Sequence, residues 1–205
     1  MALVTGPWIE PLAVPARPGD RVAGIRLQPG AAFPVLGVRP DSLVNRTLPA
    51  LGILGPFTED LVAVVTPVAD LDAIVPALDQ LFLAILPGLA APDPMVFAAA
   101  ELMKRAKGEA AINQMANDLH TSQRTLLRRF KRATGLTPKQ FSRIHRLLAA
   151  AWRVVDGMSQ WAEIAAAAGY ADQPHLHHEF VGLTGLTPGA FKGRTSTTEH
   201  DGVRR

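Results

Sequence analysis

Apolar residues recur at three- and four-residue intervals through the second half of the chain. This spacing predicts seven helices: Met95–Lys107, Ile112–Leu119, Ser122–Ala133, Pro138–Val155, Gln160–Ala168, Asp172–Leu183 and Pro188–Lys192. The ends of these segments carry matching chemistry. Ser122 and Asp172 are placed to accept first-turn amide hydrogens, Thr137-Pro138 and Thr187-Pro188 each set a cap before a first-position proline, and Gly135, Gly157, Gly169 and Gly185 follow helix ends. A turn is expected at Gly108. The first half is patterned more weakly. Val22–Leu27 alternates in the manner of a strand ending at a Pro29-Gly30 turn, while Thr58–Val65 and Leu71–Leu86 read as helices, with Pro76 in the first turns of the latter.

Proline divides the chain. Fourteen of the seventeen prolines lie at or before Pro94, and the run from Pro87 to Pro94 reads as a hinge between two parts. The expected fold is mainly α: a C-terminal seven-helix domain with two helix-turn-helix subdomains joined by a long helix, preceded by a small α+β segment with few strands. The corresponding boundaries are 1–90, 91–194 and a disordered tail over 195–205.

The helical half repeats itself. Gly135-Leu136-Thr137-Pro138 recurs fifty positions later as Gly185-Leu186-Thr187-Pro188, and Leu126, Phe130, Thr134 and Phe141 recur as Leu176, Phe180, Thr184 and Phe191. In the same register Ala116 aligns with Ala166. Each copy holds a short helix, a tight turn and a longer helix ending at glycine, the order of a helix-turn-helix. One such match is weak, because short helices joined by a turn occur in many all-α proteins; two in register are far more specific.

On the longer helix of the first copy, Leu126, Phe130 and Ala133 share the stripe that packs inward, and Arg124, Arg128 and Lys131 share another, bordered by Leu127 and Arg132. An outward guanidinium can grip guanine O6 and N7 in a major groove through two hydrogen bonds. Gln123, Arg124, Leu127 and Arg128 are therefore candidate base readers, against the plainer reading of an ordinary solvated face. Thr121, Lys131 and Arg132 are candidate phosphate contacts. The second copy keeps its inward stripe as Leu176, Phe180 and Leu183, but its outward stripe reads Pro174, His178 and Val181. Gln173, His177 and His178 can still reach base edges, with a smaller expected contribution. The segment Pro138–Val155 would form a rod about 27 Å long, which with its flanking turns approaches the roughly 34 Å between successive major-groove entries on one face of DNA. On it Lys139, Arg143 and Arg146 are available for phosphates, and Arg143 and Arg146 equally for bracing the motifs.

Charge sharpens this picture. The net charge is +3, yet Leu119–Val155 carries nine Lys or Arg and no Asp or Glu, with apolar residues in helical order between them. A folded basic face implies a polyanionic partner. The chain has no cysteine, which removes disulfides, thiolate metal sites and cysteine nucleophiles. Apolar runs are too short to span a bilayer and no secretory pattern follows Met1, so a cytoplasmic location and no membrane partner are expected.

The residues that carry a resemblance are Ala116…Ser122-x-x-x-Leu126-x-Arg128-x-Phe130-Lys131-x-x-x-Gly135-x-x-Pro138, then Arg143-x-x-Arg146-Leu147…Ala150. They continue as Ile164-Ala165-x-x-x-Gly169-Tyr170-x-Asp172-Gln173-x-His175-Leu176-x-x-x-Phe180-x-x-x-x-Gly185-x-x-Pro188. The pattern resembles the DNA-binding domain of the AraC/XylS transcription regulators over about Met95 to Arg194. That resemblance implies two helix-turn-helix subdomains on double-stranded promoter DNA, some DNA bending, and recruitment of RNA polymerase. Where the family commonly has Arg in the second reading helix, this chain has His178, preceded by His177. The front segment, around Gly24–Ala31 and Leu36–Val38, looks similar to the end of the cupin-like effector domain of some members. A partial or degenerate sensor is expected, with an unidentified small-molecule effector and a monomeric or homodimeric state.

Competing readings are weaker. No phosphate-binding glycine loop, Gly-x-Ser-x-Gly elbow or His-Glu-x-x-His occurs, so an enzyme is not expected. His175, His177 and His178 lack a second cluster of ligands, so neither a metal nor a cofactor is expected. A small-molecule or protein-binding module whose helical half no longer binds DNA is the remaining alternative, with Trp8, Trp152 and Trp161 as pocket candidates, although tryptophans at helical spacing are more often core.

Overall fold

In the computed structural model, residues 1–13, 22, 24–66, 71–107 and 111–195 are described. The first strand, β1 (Leu3–Thr5), pairs antiparallel with β2 (Thr47–Pro49), in the register Leu3 to Pro49 and Thr5 to Thr47. Between them lie α1 (Ala32–Leu36) and a 3-10 turn, Pro40–Leu43; after them come α2 (Leu51–Leu54), α3 (Phe57–Val65), α4 (Leu71–Ile85) and α5 (Pro94–Arg105). The remaining helices are α6 (Ile112–Asp118), α7 (Gln123–Thr134), α8 (Pro138–Val155), α9 (Trp161–Ala167), α10 (Gln173–Thr184) and α11 (Pro188–Thr195). The seven helices expected behind the hinge are all present, with ends displaced by at most a few residues.

The front half departs from expectation. Among the described residues of Val22–Leu27 there is no strand; the backbone is irregular up to the Pro29-Gly30 turn, and Val22, Ile25 and Arg26 are exposed. Alternation alone does not make a strand without a neighbouring edge to satisfy its amides. The strands that do form are three residues long and lie elsewhere. The Gly108 turn and most of the expected 195–205 tail fall outside the described residues.

Two cores organise the helical half. The first gathers Val96, Ala99, Ala100 and Met103 of α5, Met115 and Ala116 of α6, Leu126 and Phe130 of α7, Leu136, and Phe141 of α8. The second gathers Ala150 and Val154 of α8, Ile164 and Ala165 of α9, Ala168, Tyr170, and Leu176 and Phe180 of α10. Helix α8 belongs to both: its first turns close unit one, and its later turns open unit two. A reciprocal capping box starts it, with Thr137 Oγ1 accepting the Gln140 amide at 3.2 Å and Gln140 Oε1 accepting the Thr137 amide at 2.9 Å. His145 lies on the Phe141 ring, with centroids 4.2 Å apart. Burial lowers its pKa to about 4, with the charges of Lys104 and Arg26 acting in the same direction and Glu101 opposing.

The front segment is docked on unit one. Its own small core is Val4, Leu43 and Ala50, and Ile9 packs against the core of unit one. The Ile9 amide donates to Asn45 Oδ1 at 2.9 Å. At Gly135, whose φ of 76° already favours glycine, a Cβ would sit 2.6 Å from the Pro40 carbonyl oxygen, so α7 ends where the 3-10 turn presses against it. By contrast α3 and α4 form a hairpin around an edge-to-face contact of Phe57 with Phe82 at 5.5 Å. Pro76 falls at the sixth residue of α4, and Val75, Leu83 and Leu86 are exposed.

Candidate nucleic-acid interface

The geometry of the reading surface starts from what is buried. Leu126 and Phe130 have no exposed surface, and Phe130 meets Phe141 edge-on at 5.3 Å. Because those side chains lie on one stripe of a 3.6-residue helix, the opposite stripe of α7 must face outward. Gln123, Arg124, Leu127, Arg128, Lys131 and Arg132 are all exposed, Leu127 by 40%. Among the described residues none of the four cations in that set forms an ion pair. The helix start is fixed by Ser122, whose Oγ accepts the Thr125 amide at 3.2 Å. Thr121 is half-buried in the turn, with its amide on the Ala116 carbonyl at 2.9 Å.

The second unit repeats the scaffold closely. Phe180 meets Phe191 at 5.3 Å, and Thr184 Oγ1 donates to the Phe180 carbonyl at 2.6 Å, as Thr134 does to Phe130 at 2.8 Å. Asp172 caps α10 by accepting the His175 amide at 2.7 Å. Gln173, His177 and His178 are exposed, as are Pro174 and Val181.

The fifty-residue register fails in one place. Buried Met115 and Ala116 correspond to buried Ile164 and Ala165, and Thr121 donating to Ala116 corresponds to Tyr170 donating to Ala165 at 2.9 Å. The offset across α6 and α9 is therefore forty-nine, and Ala166, the sequence partner of Ala116, is exposed. Unit two carries one more residue in its turn. The left-handed position is accordingly His120 (φ 50°) in unit one and Gly169 (φ 79°) in unit two.

The cations of α8 divide. Lys139 is exposed. Arg143 is engaged inside the protein, its Nε donating to Glu179 Oε2 at 2.8 Å and Oε1 at 3.1 Å. Burial pushes the Glu179 carboxyl up, but the hydrogen bond and charge of Arg143, with Arg146 and His175 behind, outweigh it and hold its pKa below the usual value. Arg146 places its guanidinium carbon 5.5 Å from the centre of the Tyr170 ring, and its Nε is buried. Tyr170 itself is pushed up to about 12, chiefly by burial. Arg143 thereby ties α8 to α10, while Arg146 lies over the ring of Tyr170, in the turn between α9 and α10. A cleft of about 350 Å³ opens between Met103, Leu127, Thr137, Lys139, Ser142 and Arg146.

Sequence reasoning missed Arg129. It was one of nine basic residues in the run, yet it turns away from the outward stripe and pairs with Asp93, Nε to Oδ2 at 2.9 Å and Nη2 to Oδ1 at 2.8 Å. Asp93 also caps α5, accepting the Met95 amide at 3.0 Å. The signal in the sequence was the position of Arg129 between the two stripes. Trp161 packs on the second core, and Trp152 borders a depression with Ala149, Arg153 and Asp156. Among the described residues no helix is long and apolar enough to cross a membrane.

Residues 115–194 match the family model for a helix-turn-helix domain. Two solved structures are similar at 21% identity. One is a transcriptional regulator with an AraC-type DNA-binding domain from Chromobacterium violaceum, with a TM-score of 0.48, covering 52% of this chain and 96% of that one. The other is the C-terminal domain of AraT, a response regulator from Geobacillus stearothermophilus, with a TM-score of 0.47, covering 53% of this chain and 94% of that one. No curated protein matches the chain.

Proposed function

We propose that the chain is a DNA-binding transcription regulator of the AraC/XylS family, and that it reads a promoter chiefly through α7, with α10 as the weaker reader. Gln123, Arg124, Leu127 and Arg128 take base edges in the major groove; Thr121, Lys131, Arg132 and Lys139 hold phosphates. Gln173, His177 and His178 make the lesser contacts of unit two. Arg143 and Arg146 leave the phosphate set, since their guanidinium groups hold α8 to unit two.

The observation that carries this reading is the exposed cationic stripe of α7, free of ion pairs among the described residues and aimed outward by two fully buried side chains on its other face. An ordinary solvated face is commonly laced with acids, and this one has none within its helix. Residues 91–194 act as the DNA-binding domain, and residues 1–90 as a reduced sensor that presses on the end of α7 and takes a small-molecule effector. The protein works in the cytoplasm at the nucleoid, without catalysis, and alters recruitment of RNA polymerase.

The test is binding to duplex fragments selected from genomic DNA and to random duplex, each across a salt series. Counterion release predicts a steep fall of affinity with salt on both, and a specificity ratio of order 10³ or more for the selected fragment. Affinity that is absent or flat with salt would move the function to the front half as a small-molecule or protein-binding module.

A further inference from the structure

We infer that Asp93, Arg129, Arg143 and Glu179 are positioning residues, and that the reversed polarity of their two ion pairs keeps each reading helix on its own scaffold helix. In unit one the acid stands at the start of the scaffold helix α5 and the base on α7, Arg129 to Asp93 at 2.8 Å. In unit two the base stands on the scaffold helix α8 and the acid on α10, Arg143 to Glu179 at 2.8 Å. Both bridges join residues thirty-six apart. Moved fifty places along the chain, positions 93 and 129 become 143 and 179. One bridge is therefore built twice in the same place, with its charges exchanged.

The reading helices themselves offer little apolar discrimination. The side chains that seat α7 are Leu126 and Phe130, and those that seat α10 are Leu176 and Phe180, the same types at the same spacing, against Ala100 and Ala150 at equivalent places on the scaffolds. Elsewhere the scaffolds differ, with Val96 and Met103 of α5 standing where α8 has Arg146 and Arg153, so the reversed charges add to a discrimination that packing begins. With α10 seated on α5 and α7 on α8, Asp93 would face Glu179 and Arg129 would face Arg143, acid on acid and base on base. Like charges placed opposite one another disfavour a wrong partner strongly when sheltered from solvent. Glu179 is sheltered, with 12% of its side chain exposed, and Asp93 partly so, with 24%.

The test reverses unit two, because Asp93 also caps α5 and cannot be changed cleanly. Arg143→Glu and Glu179→Arg are made singly and together in the full chain, so that in the double variant both units carry the acid on the scaffold helix. Each single change should lower Tm by several degrees, and the double change should regain most of the loss, a rescue that a simple packing role would not produce. The chain has no native cysteine, so spin labels can be placed through Phe97→Cys on α5 and Gly182→Cys on α10. Both sites are open: Phe97 is exposed, and a Cβ at Gly182 meets nothing within 4 Å. After refolding from denaturant, the original polarity should give one label-to-label distance, and the double variant should add a second, shorter one. The inference is overturned if the double change does not regain Tm, or if it refolds to the same single distance. Neither readout involves DNA, so failure here leaves the proposed reading by α7 standing.

Discussion

Units one and two bury the same leucine and phenylalanine pair on their longer helices and present unlike outer surfaces. Phe130 on Phe141 and Phe180 on Phe191 share one centroid distance, 5.3 Å, and each reading helix ends on the same threonine-to-carbonyl bond and the same left-handed glycine. Outward, α7 offers Arg124, Arg128 and Lys131 where α10 offers Pro174, His178 and Val181. A helix-turn-helix thus separates into a scaffold stripe, which tolerates little, and a reading stripe, which can change without disturbing the fold. Duplicated scaffolds need not carry duplicated function.

The largest effects should come from the shared scaffold. Phe130→Ala and Phe180→Ala should each cost ~3–5 kcal/mol of stability, the usual range for truncating a fully buried aromatic. Their effects on DNA should differ: thermal unfolding would register both, whereas duplex titration should lose far more affinity with Phe130→Ala. Equal loss of affinity would erase the asymmetry between the units.

Changes on the reading stripes come next. Arg128→Ala should weaken binding to a selected fragment by ~1–3 kcal/mol and weaken random duplex much less, while Lys131→Ala should weaken both about equally. Equal losses on the two DNAs for Arg128→Ala would remove it from the base readers. His178→Arg restores a guanidinium at the matching place in unit two, and anisotropy titration should show tighter binding with a steeper salt slope. No gain would mean that α10 faces away from DNA.

Acid should separate the units again. His145 packs in unit one with its folded pKa lowered to about 4 from 6.5, so the unfolded chain binds the extra proton and stability present above pH 6.5 is lost as pH falls toward 4. Glu179 braces unit two with its pKa below 4.5, so its contribution is present above 4.5 and lost only on further acidification. Tm measured from pH 7 to 5 should therefore drop by several degrees in the original chain and less in His145→Gln, while Glu179→Gln should leave that slope unchanged. The smallest effects belong to the turns. His120→Gly should be neutral or stabilising by about 1 kcal/mol or less, since glycine accepts a left-handed backbone freely. Gly169→Ala should destabilise, because its φ is 79° and a Cβ would lie 2.9 Å from the Lys107 carbonyl oxygen. A stable Gly169→Ala protein would mean that this turn can relax.

The helical half was legible because its signals are local and redundant. Leu126 and Phe130 announce a stripe four residues apart, Ser122 and Gly135 bracket it, and a second copy repeats the message. The front half lacks that redundancy: β1 and β2 have three residues each and α2 has four, too few for either pattern to complete two periods. Val22–Leu27 had the alternation but no edge beside it. At the interface, the outward stripe of α7 followed from the inward one. The fates of Arg129 and Arg143 did not, since their acids lie thirty-six residues away and only folding brings them within reach. The slip from Ala166 to Ala165 was hidden because Ala165, Ala166, Ala167 and Ala168 look alike in sequence, and only burial together with the hydrogen bond from Tyr170 to Ala165 distinguishes them.

Because α8 closes one core and opens the other without a break, the two reading helices are locked in phase like teeth on one screw. Inserting a single residue into α8 would turn the second tooth by about 100° and advance it by about 1.5 Å, whereas one added base pair turns DNA by only about 34° and advances it by about 3.4 Å. No whole number of base pairs compensates a one-residue insertion, so under the proposed reading by α7 and α10 the length of this rod sets the spacing of the two DNA segments, which cannot drift by small steps.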